Sequence, residues 1–143
     1  MPNVVFDTSF IALSNGDLAG RRKGNVMDRR LHKIERVANG EAIVWYNKRL
    51  LYEYETHLLE FRNDIVEIFI HRLADSGRRA ARSTLSAVNY AKANAARWPA
   101  HDQHILAAAI EAVVCEVCVT EEALGNCANG IRRAFGVEVV RIA

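Results

Sequence analysis

Acidic side chains follow two apolar segments of this 143-residue sequence. Asp7 comes directly after the apolar residues 4–6, and the pair Glu121 and Glu122 comes after a second apolar run that ends at Thr120. Both runs have the length and the β-branched content of buried strands. Ligands bind outside the carboxyl ends of the strands in an open parallel α/β sheet, so we expect these acids to face one cleft.

Two further acids are predicted to lie near the same cleft. Asp102 begins a helix that leads into the second of these strands, and Glu53 lies in the helix after another apolar stretch, residues 42–46. Taken singly, Asp7 and Asp102 could cap helices, and Glu53 could pair with Arg49 across one helical turn. Taken together, clustered carboxylates repel one another, which raises their pKa values unless a cation binds. Mg²⁺ or Mn²⁺, which are hard ions with oxygen ligands, suit such a cluster.

The elements that must position these acids alternate along the chain. Four β-leaning segments (residues 4–6, 42–46, 115–119 and 137–142) are separated by helical patterns, which predicts an α/β fold with a mainly parallel sheet of four to five strands. Asn47 is predicted to cap the helix that carries Glu53. An Ala-rich helix is predicted from about Arg79 to Ala96, another from Asp102, and a last one over residues 121–135.

Composition and charge describe an ordinary globular chain. Half of the residues are hydrophobic, a quarter are charged and the net charge is +2, which argues against disorder and predicts one domain over residues 1–143. Neither a signal peptide nor an apolar run of the ~20 residues of a membrane helix is present, so we expect a cytoplasmic protein without a membrane partner. Two segments rich in basic residues could bind a polyanion. Judged by charge alone, the same residues could equally well lie on solvent-exposed helix faces.

The cysteines do not indicate a zinc site. Cys115 and Cys118 have the spacing of zinc ligands, but within a strand this spacing directs the two side chains to opposite faces. We therefore expect buried, unpaired strand cysteines.

Several quoted segments resemble PIN-domain nucleases in the order in which that family has them. "VVFDTSFIAL" resembles the family's first strand and helix, "NKRLLYEYETHL" its segment from a capping residue to a glutamate, and "HDQHILAAAIEAVVCEVCVTEEAL" its block of aspartate, Ala-rich helix, strand and further acid. "FGVEVVRI" is similar to the closing strand, whereas residues 62–98 match poorly. The resemblance implies a three-layer Rossmann-like PIN fold.

The resemblance also implies a site. It assigns metal-binding or catalytic roles to Asp7, Glu53 and Asp102, and counting from Thr120 assigns Glu122 as the fourth acid. Glu121 stays open as an alternative because the segment is one residue short, and helical periodicity alone does not separate Glu53 from Glu55. Hydroxyls that would orient the carboxylates are those of Ser9 and Thr120. Candidates for holding a phosphate backbone are Arg21, Arg22, Lys23, Arg78, Arg79 and Arg82.

The reaction implied by the resemblance is hydrolysis of RNA by a ribonuclease that uses Mg²⁺ or Mn²⁺. Such ions lower the pKa of a bound water and stabilise the leaving oxygen of a phosphodiester. The resemblance is compatible with an RNA-processing endoribonuclease or with the toxin of a toxin–antitoxin pair, and with an antitoxin-like partner and a homodimer. The alternatives are a PIN-like module that binds RNA or protein without cutting, and a nucleotide-binding or receiver domain. The last is disfavoured because no glycine-rich phosphate motif is present.

Overall fold

Five strands form the central sheet: β1 (Asn3–Phe6), β2 (Ile43–Tyr46), β3 (Arg78–Arg79), β4 (Cys115–Val119) and β5 (Glu138–Arg141). They are all parallel and lie in the order β3-β2-β1-β4-β5. The computed structural model describes residues 1–16, 25–58 and 64–143, with side chains described for 1–14, 28–58 and 64–143. The predicted α/β fold with a parallel sheet is confirmed.

Helices cover both faces of this sheet. The described residues contain α1 (Thr8–Gly16), α2 (Asn25–Ala38), α3 (Lys48–His57), α4 (Asp64–Ser76), α5 (Ala87–Ala95), α6 (Gln103–Glu111), α7 (Glu122–Gly125) and α8 (Ala128–Phe135). Helix α6 lies against β1, β2 and β4, α8 lies against β5, and α1, α2 and α4 pack on one another. Because every residue of β1 after Asn3 is buried, the sheet is the middle of three layers. Within the described residues, each helix is too short or too polar to cross a lipid bilayer.

The strand register brings the ends of the two central strands to the same edge of the sheet. Phe6, the last residue of β1, lies opposite Cys118 of β4, and the Asp7 N–H continues the ladder to the Cys118 carbonyl at 3.0 Å. Asp7 and Thr120 therefore leave the sheet side by side at its carboxyl edge.

An aromatic cluster fixes α3 beside the end of β1. The Phe69 ring meets the rings of Phe6 and Tyr54 edge to face, with centroids 5.5 and 6.0 Å apart, and all three side chains are fully buried. The Tyr54 hydroxyl also donates a hydrogen bond to the Phe6 carbonyl. Because Tyr54 follows Glu53 directly, this contact brings Glu53 close to the carboxyl edge.

The helix predicted from about Arg79 to Ala96 is wrong in its first half. Arg78 and Arg79 form strand β3, and α5 begins only at Ala87, where the Ser86 hydroxyl accepts the Asn89 N–H. Backbone groups of residues 80–86 are used in tertiary contacts: the Ala80 N–H donates to the Tyr46 carbonyl, and the N–H groups of residues 81 and 85 donate to side chains. These bonds compete with the helix that the alanines favour.

The single helix predicted over residues 121–135 is two helices, α7 and α8. The break lies at Cys127, whose thiol donates to the carbonyls of Ala123 at 3.2 Å and Arg97 at 3.3 Å. Gly136 then ends α8 in the left-handed conformation at φ +69°, which glycine adopts without strain. The prediction of buried strand cysteines is confirmed, since Cys115 and Cys118 are both buried and unpaired.

Candidate active site

Asp7 is the buried carboxylate of the candidate site. Its side chain follows β1 directly, and the residue is only 6% exposed. The Ser9 hydroxyl donates to Asp7 Oδ2 at 2.9 Å, and the same hydroxyl lies 2.9 Å from the Thr120 hydroxyl. The sequence-predicted hydroxyls Ser9 and Thr120 thus form one hydrogen-bonded chain that ends on Asp7.

The environment of Asp7 disfavours its charge. Burial raises the pKa of Asp7 from 3.8 to about 6, against the lowering effect of the Ser9 hydroxyl. The carboxylates of Asp102 and Glu121 raise it further, and a hydrogen bond from the Thr8 backbone lowers it. In the described part of the chain, no cation is among the charges that act on Asp7. A buried acid that lacks a cationic partner is a group that binding of a cation would stabilise.

Asp102 lies at the start of α6, near Asp7. A 3-10 turn over Ala100–Asp102 leads into the helix, and Asp102 occupies the N-cap position without a side-chain capping bond. Its carboxylate is 3.3 Å from His101 Nε2, and its carbonyl accepts the Trp98 indole N–H at 2.9 Å. Burial raises the pKa of Asp102, His101 opposes this effect, and Glu121 and Glu53 add to it. The Asp102 carboxylate therefore does not cap the helix, and among the described residues its side-chain contact is with the exposed His101.

The structure distinguishes Glu121 from Glu122. Glu121 is the N-cap residue of α7, again without a side-chain capping bond, and Glu122 begins that helix; both residues are exposed. Glu121 acts on the pKa values of both Asp7 and Asp102, and within the described residues Glu122 is absent from the charges that do so. The electrostatic effect of Glu121 on both aspartates favours Glu121, the alternative that the sequence left open, as the third acid of the group.

Glu53 is held by three donors. Its Oε1 accepts the Thr8 hydroxyl at 2.9 Å and lies 3.0 Å from His104 Nε2, and its Oε2 accepts Arg49 Nε at 3.2 Å. Burial alone would raise the pKa of Glu53, but the charge and hydrogen bond of His104, with the bonds from Thr8 and Arg49, lower it. Glu53 is thus an ionised, fully engaged carboxylate, unlike Asp7.

Glu55, the second candidate on this helix, points elsewhere. It lines an apolar cavity of about 310 Å³ together with residues such as Tyr46 and Leu51. Glu53, by contrast, shares a hydrogen bond with Thr8, the residue after Asp7.

Asn47 joins the elements around the site. Its side-chain oxygen accepts the Leu50 N–H at 3.0 Å, which confirms the predicted cap of α3. Its amide nitrogen donates to the carbonyls of His104 at 2.9 Å and Arg82 at 3.1 Å, and the residue is fully buried. One side chain therefore connects the start of α3 to α6 and to the loop after β3.

Sequence reasoning missed the roles of Thr8 and His104. Thr8 is adjacent to the motif aspartate, and His104 is a polar residue at the start of the apolar run of α6, two positions after Asp102. A polar side chain on a buried helix face requires a partner, and this signal could have identified His104.

The basic candidates fall in two places. Arg78, Arg79 and Arg82 are exposed, and they lie on the edge strand β3 or in the loop that follows its carboxyl end. Arg21, Arg22 and Lys23 lie outside the described residues. The described arginines are thus next to the same edge as Asn47 and Asp7.

The donor set suits a hard divalent cation, although its ligands are not assembled. Asp7, Asp102 and Glu121 offer carboxylate oxygens, the type of ligand that Mg²⁺ and Mn²⁺ prefer. Asp102 and Glu121 raise the pKa of Asp7, and Glu121 raises the pKa of Asp102. Among the described residues, no three His, Cys, Asp or Glu side chains are grouped so that they could hold a metal ion. Binding of one ion by all three acids would therefore require rotation of exposed side chains such as Glu121.

Comparisons with known proteins give no family. No protein-family model matches the chain, and a search of curated proteins finds no match. The resemblance to PIN-domain nucleases stays a prediction from the quoted motifs.

Proposed function

We propose that this chain is a ribonuclease that uses Mg²⁺ or Mn²⁺ and hydrolyses RNA phosphodiester bonds at the carboxyl edge of the sheet. The observation that carries the proposal is Asp7, a buried carboxylate without a cationic partner in the described chain and close to two further acids. A bound divalent cation would neutralise the repulsion between these carboxylates.

Three carboxylates have the chemistry to hold that cation. Asp7, Asp102 and Glu121 would supply the oxygens, and Ser9 and Thr120 orient Asp7 through their hydrogen-bonded hydroxyls. Glu53 has the role of a positioning residue in this scheme because both of its oxygens are already engaged. When bound, the ion would lower the pKa of a water and stabilise charge on the phosphate.

The substrate assignment rests on charge as well as on the motifs. An RNA backbone that approaches an acidic site needs cations around it, and Arg78, Arg79 and Arg82 are exposed beside this edge. We extend the proposal to an endoribonuclease of the cytoplasm that forms a homodimer, either in RNA processing or as a toxin restrained by an antitoxin-like protein.

One observation favours a second candidate function. Since the described residues contain no ready group of three ligands, a PIN-like module that binds RNA or a protein partner without cutting would also suit this chain. The two functions differ in one measurable property, which is hydrolysis in the presence of metal.

Cleavage of a mixed pool of single-stranded RNA and DNA tests the proposal. We expect the purified chain to cut RNA with Mn²⁺ or Mg²⁺ and to lose this activity with a chelator. Asp102→Asn should abolish cleavage and leave the circular dichroism spectrum unchanged. Glu121→Gln and Glu122→Gln form a matched pair, in which only Glu121→Gln should reduce the rate. A folded, metal-loaded chain that leaves all RNA intact would favour the second function, and an active Asp102→Asn variant would contradict the site.

A further inference from the structure

The Glu53 carboxylate is fixed by hydrogen bonds and in turn accepts a hydrogen bond from Arg49. Its Oε1 is fixed by Thr8 and by His104, whose side chain is 6% exposed. The backbone of His104 is in turn held by Asn47. The position of the Glu53 carboxylate is therefore set by buried groups from α1 and α6, and its Oε2 is directed toward Arg49.

Arg49 is held by this carboxylate while its side chain remains accessible. Its Nε donates to Glu53 Oε2 at 3.2 Å, and its side chain is 58% exposed. Its backbone N–H donates to the Ser83 hydroxyl at 3.3 Å, which ties the first turn of α3 to the loop that carries Arg82. Among the described residues, the side-chain hydrogen bond of Arg49 uses Nε, and more than half of the side chain is exposed, so the terminal nitrogens of the guanidinium are not needed for the contact with Glu53.

Helix stability does not account for this pair. An arginine four residues before a glutamate is the less favourable order of charges in a helix, and exposed ion pairs contribute little. A guanidinium held through Nε presents its other two nitrogens as a planar fork, and that fork matches two oxygens of a phosphate group. Pre-ordering of the fork reduces the entropy lost on binding an anion.

We propose that Arg49 binds a backbone phosphate of the substrate, with Glu53 holding its guanidinium in the binding orientation. This inference rests on the proposed ribonuclease function, and it adds a substrate-binding residue that is distinct from the acidic group. Arg49 differs in this respect from Arg78, Arg79 and Arg82. These three arginines also lie near the site, but the described contacts include no carboxylate that orients their guanidinium groups.

Steady-state cleavage of a labelled single-stranded RNA with Mn²⁺ tests the role of Arg49. Arg49→Ala should raise KM by about tenfold, the effect of losing one charge-assisted contact, and leave kcat nearly unchanged. Its KM should also depend less on salt, by about one unit of slope in a plot of log KM against log salt concentration. Arg133→Ala is the matched control, because Arg133 is also an exposed helical arginine, with its Nε bonded to the Asn129 carbonyl.

Arg49→Lys separates charge from geometry. Lysine keeps the charge but lacks the planar fork, so we expect the salt dependence of the wild type together with a KM between those of the wild type and Arg49→Ala. A wild-type KM for Arg49→Ala overturns the proposal, and a wild-type KM for Arg49→Lys overturns the part played by Glu53. A wild-type chain that cleaves no RNA overturns the proposed function and this inference together, so the two failures are distinguishable.

Discussion

Asp7→Asn should stabilise the metal-free protein while removing its activity. Burial raises the pKa of Asp7 from 3.8 to about 6, so the folded state favours the neutral form of this carboxyl. Each pKa unit corresponds to about 1.4 kcal/mol, and the ionised side chain therefore costs the fold about 3 kcal/mol at pH 8. Asparagine is neutral, and its oxygen can still accept the hydrogen bond of Ser9.

The pH dependence follows from the sign of the shift. An acid whose pKa is higher in the folded state destabilises the fold above that pKa, and the cost disappears as the pH falls below the unfolded value of 3.8. The difference in unfolding free energy between Asp7→Asn and the wild type should thus fall from about 3 kcal/mol at pH 8 to about 0.5 kcal/mol at pH 4.

Urea unfolding in the presence of a chelator, followed by circular dichroism, measures this difference. Saturating Mn²⁺ should then stabilise the wild type and leave Asp7→Asn unchanged, because only the wild type has the full set of carboxylates. A wild type as stable as Asp7→Asn at pH 8, or a difference that is the same at pH 4 and pH 8, would refute the claim that ionised Asp7 is uncompensated.

Two further variants test contacts around the site, and a third tests backbone strain elsewhere in the fold. Glu53→Gln should destabilise the fold at pH 7, because the pKa of Glu53 is lowered in the folded state and its ionised form is therefore stabilised there. This loss of stability should shrink below pH 4.5, and equal stability of the variant and the wild type at pH 7 would contradict the hydrogen bonding described for Glu53. Asn47→Ala should cost about 2–4 kcal/mol in urea unfolding, since a helix cap and two buried carbonyl partners are lost; a cost near that of a surface substitution would refute this. Val113→Gly should stabilise the fold by about 1 kcal/mol, because this exposed valine has φ +72°; a lower melting temperature would show that its backbone is unstrained.

The sequence was informative wherever a local pattern decides the structure. Residues 4–6 and 115–119 are apolar enough to be buried on both faces of a sheet, and both form strands close to their predicted bounds. Asn47 was identifiable as a cap because its side chain bonds to a backbone group three residues away. The position of Asp7 followed from the general rule for parallel sheets.

Long-range contacts explain what the sequence left open. Strand β3 has two residues and follows from pairing with β2 rather than from its own composition. The preference for Glu121 over Glu122 depends on where α7 begins after β4. The motif is one residue short at this point, so the sequence alone could not locate that start. The contacts of Glu53 with Thr8 and His104 arise because three helices meet at Glu53, and no spacing along the chain records that meeting. The contact of Glu53 with Arg49, by contrast, lies within one helical turn and was predictable from the sequence.

Metal binding and RNA cleavage measured in one Mn²⁺ titration test the central claim most directly. The claim predicts that bound Mn²⁺, measured by calorimetry, and the initial rate of cleavage rise over the same range of concentration in the wild type. Both should be lost in Asp7→Asn, whereas Glu138→Gln, which changes an exposed acid on β5, should match the wild type. Metal binding without cleavage, or cleavage that persists in Asp7→Asn, would contradict the account.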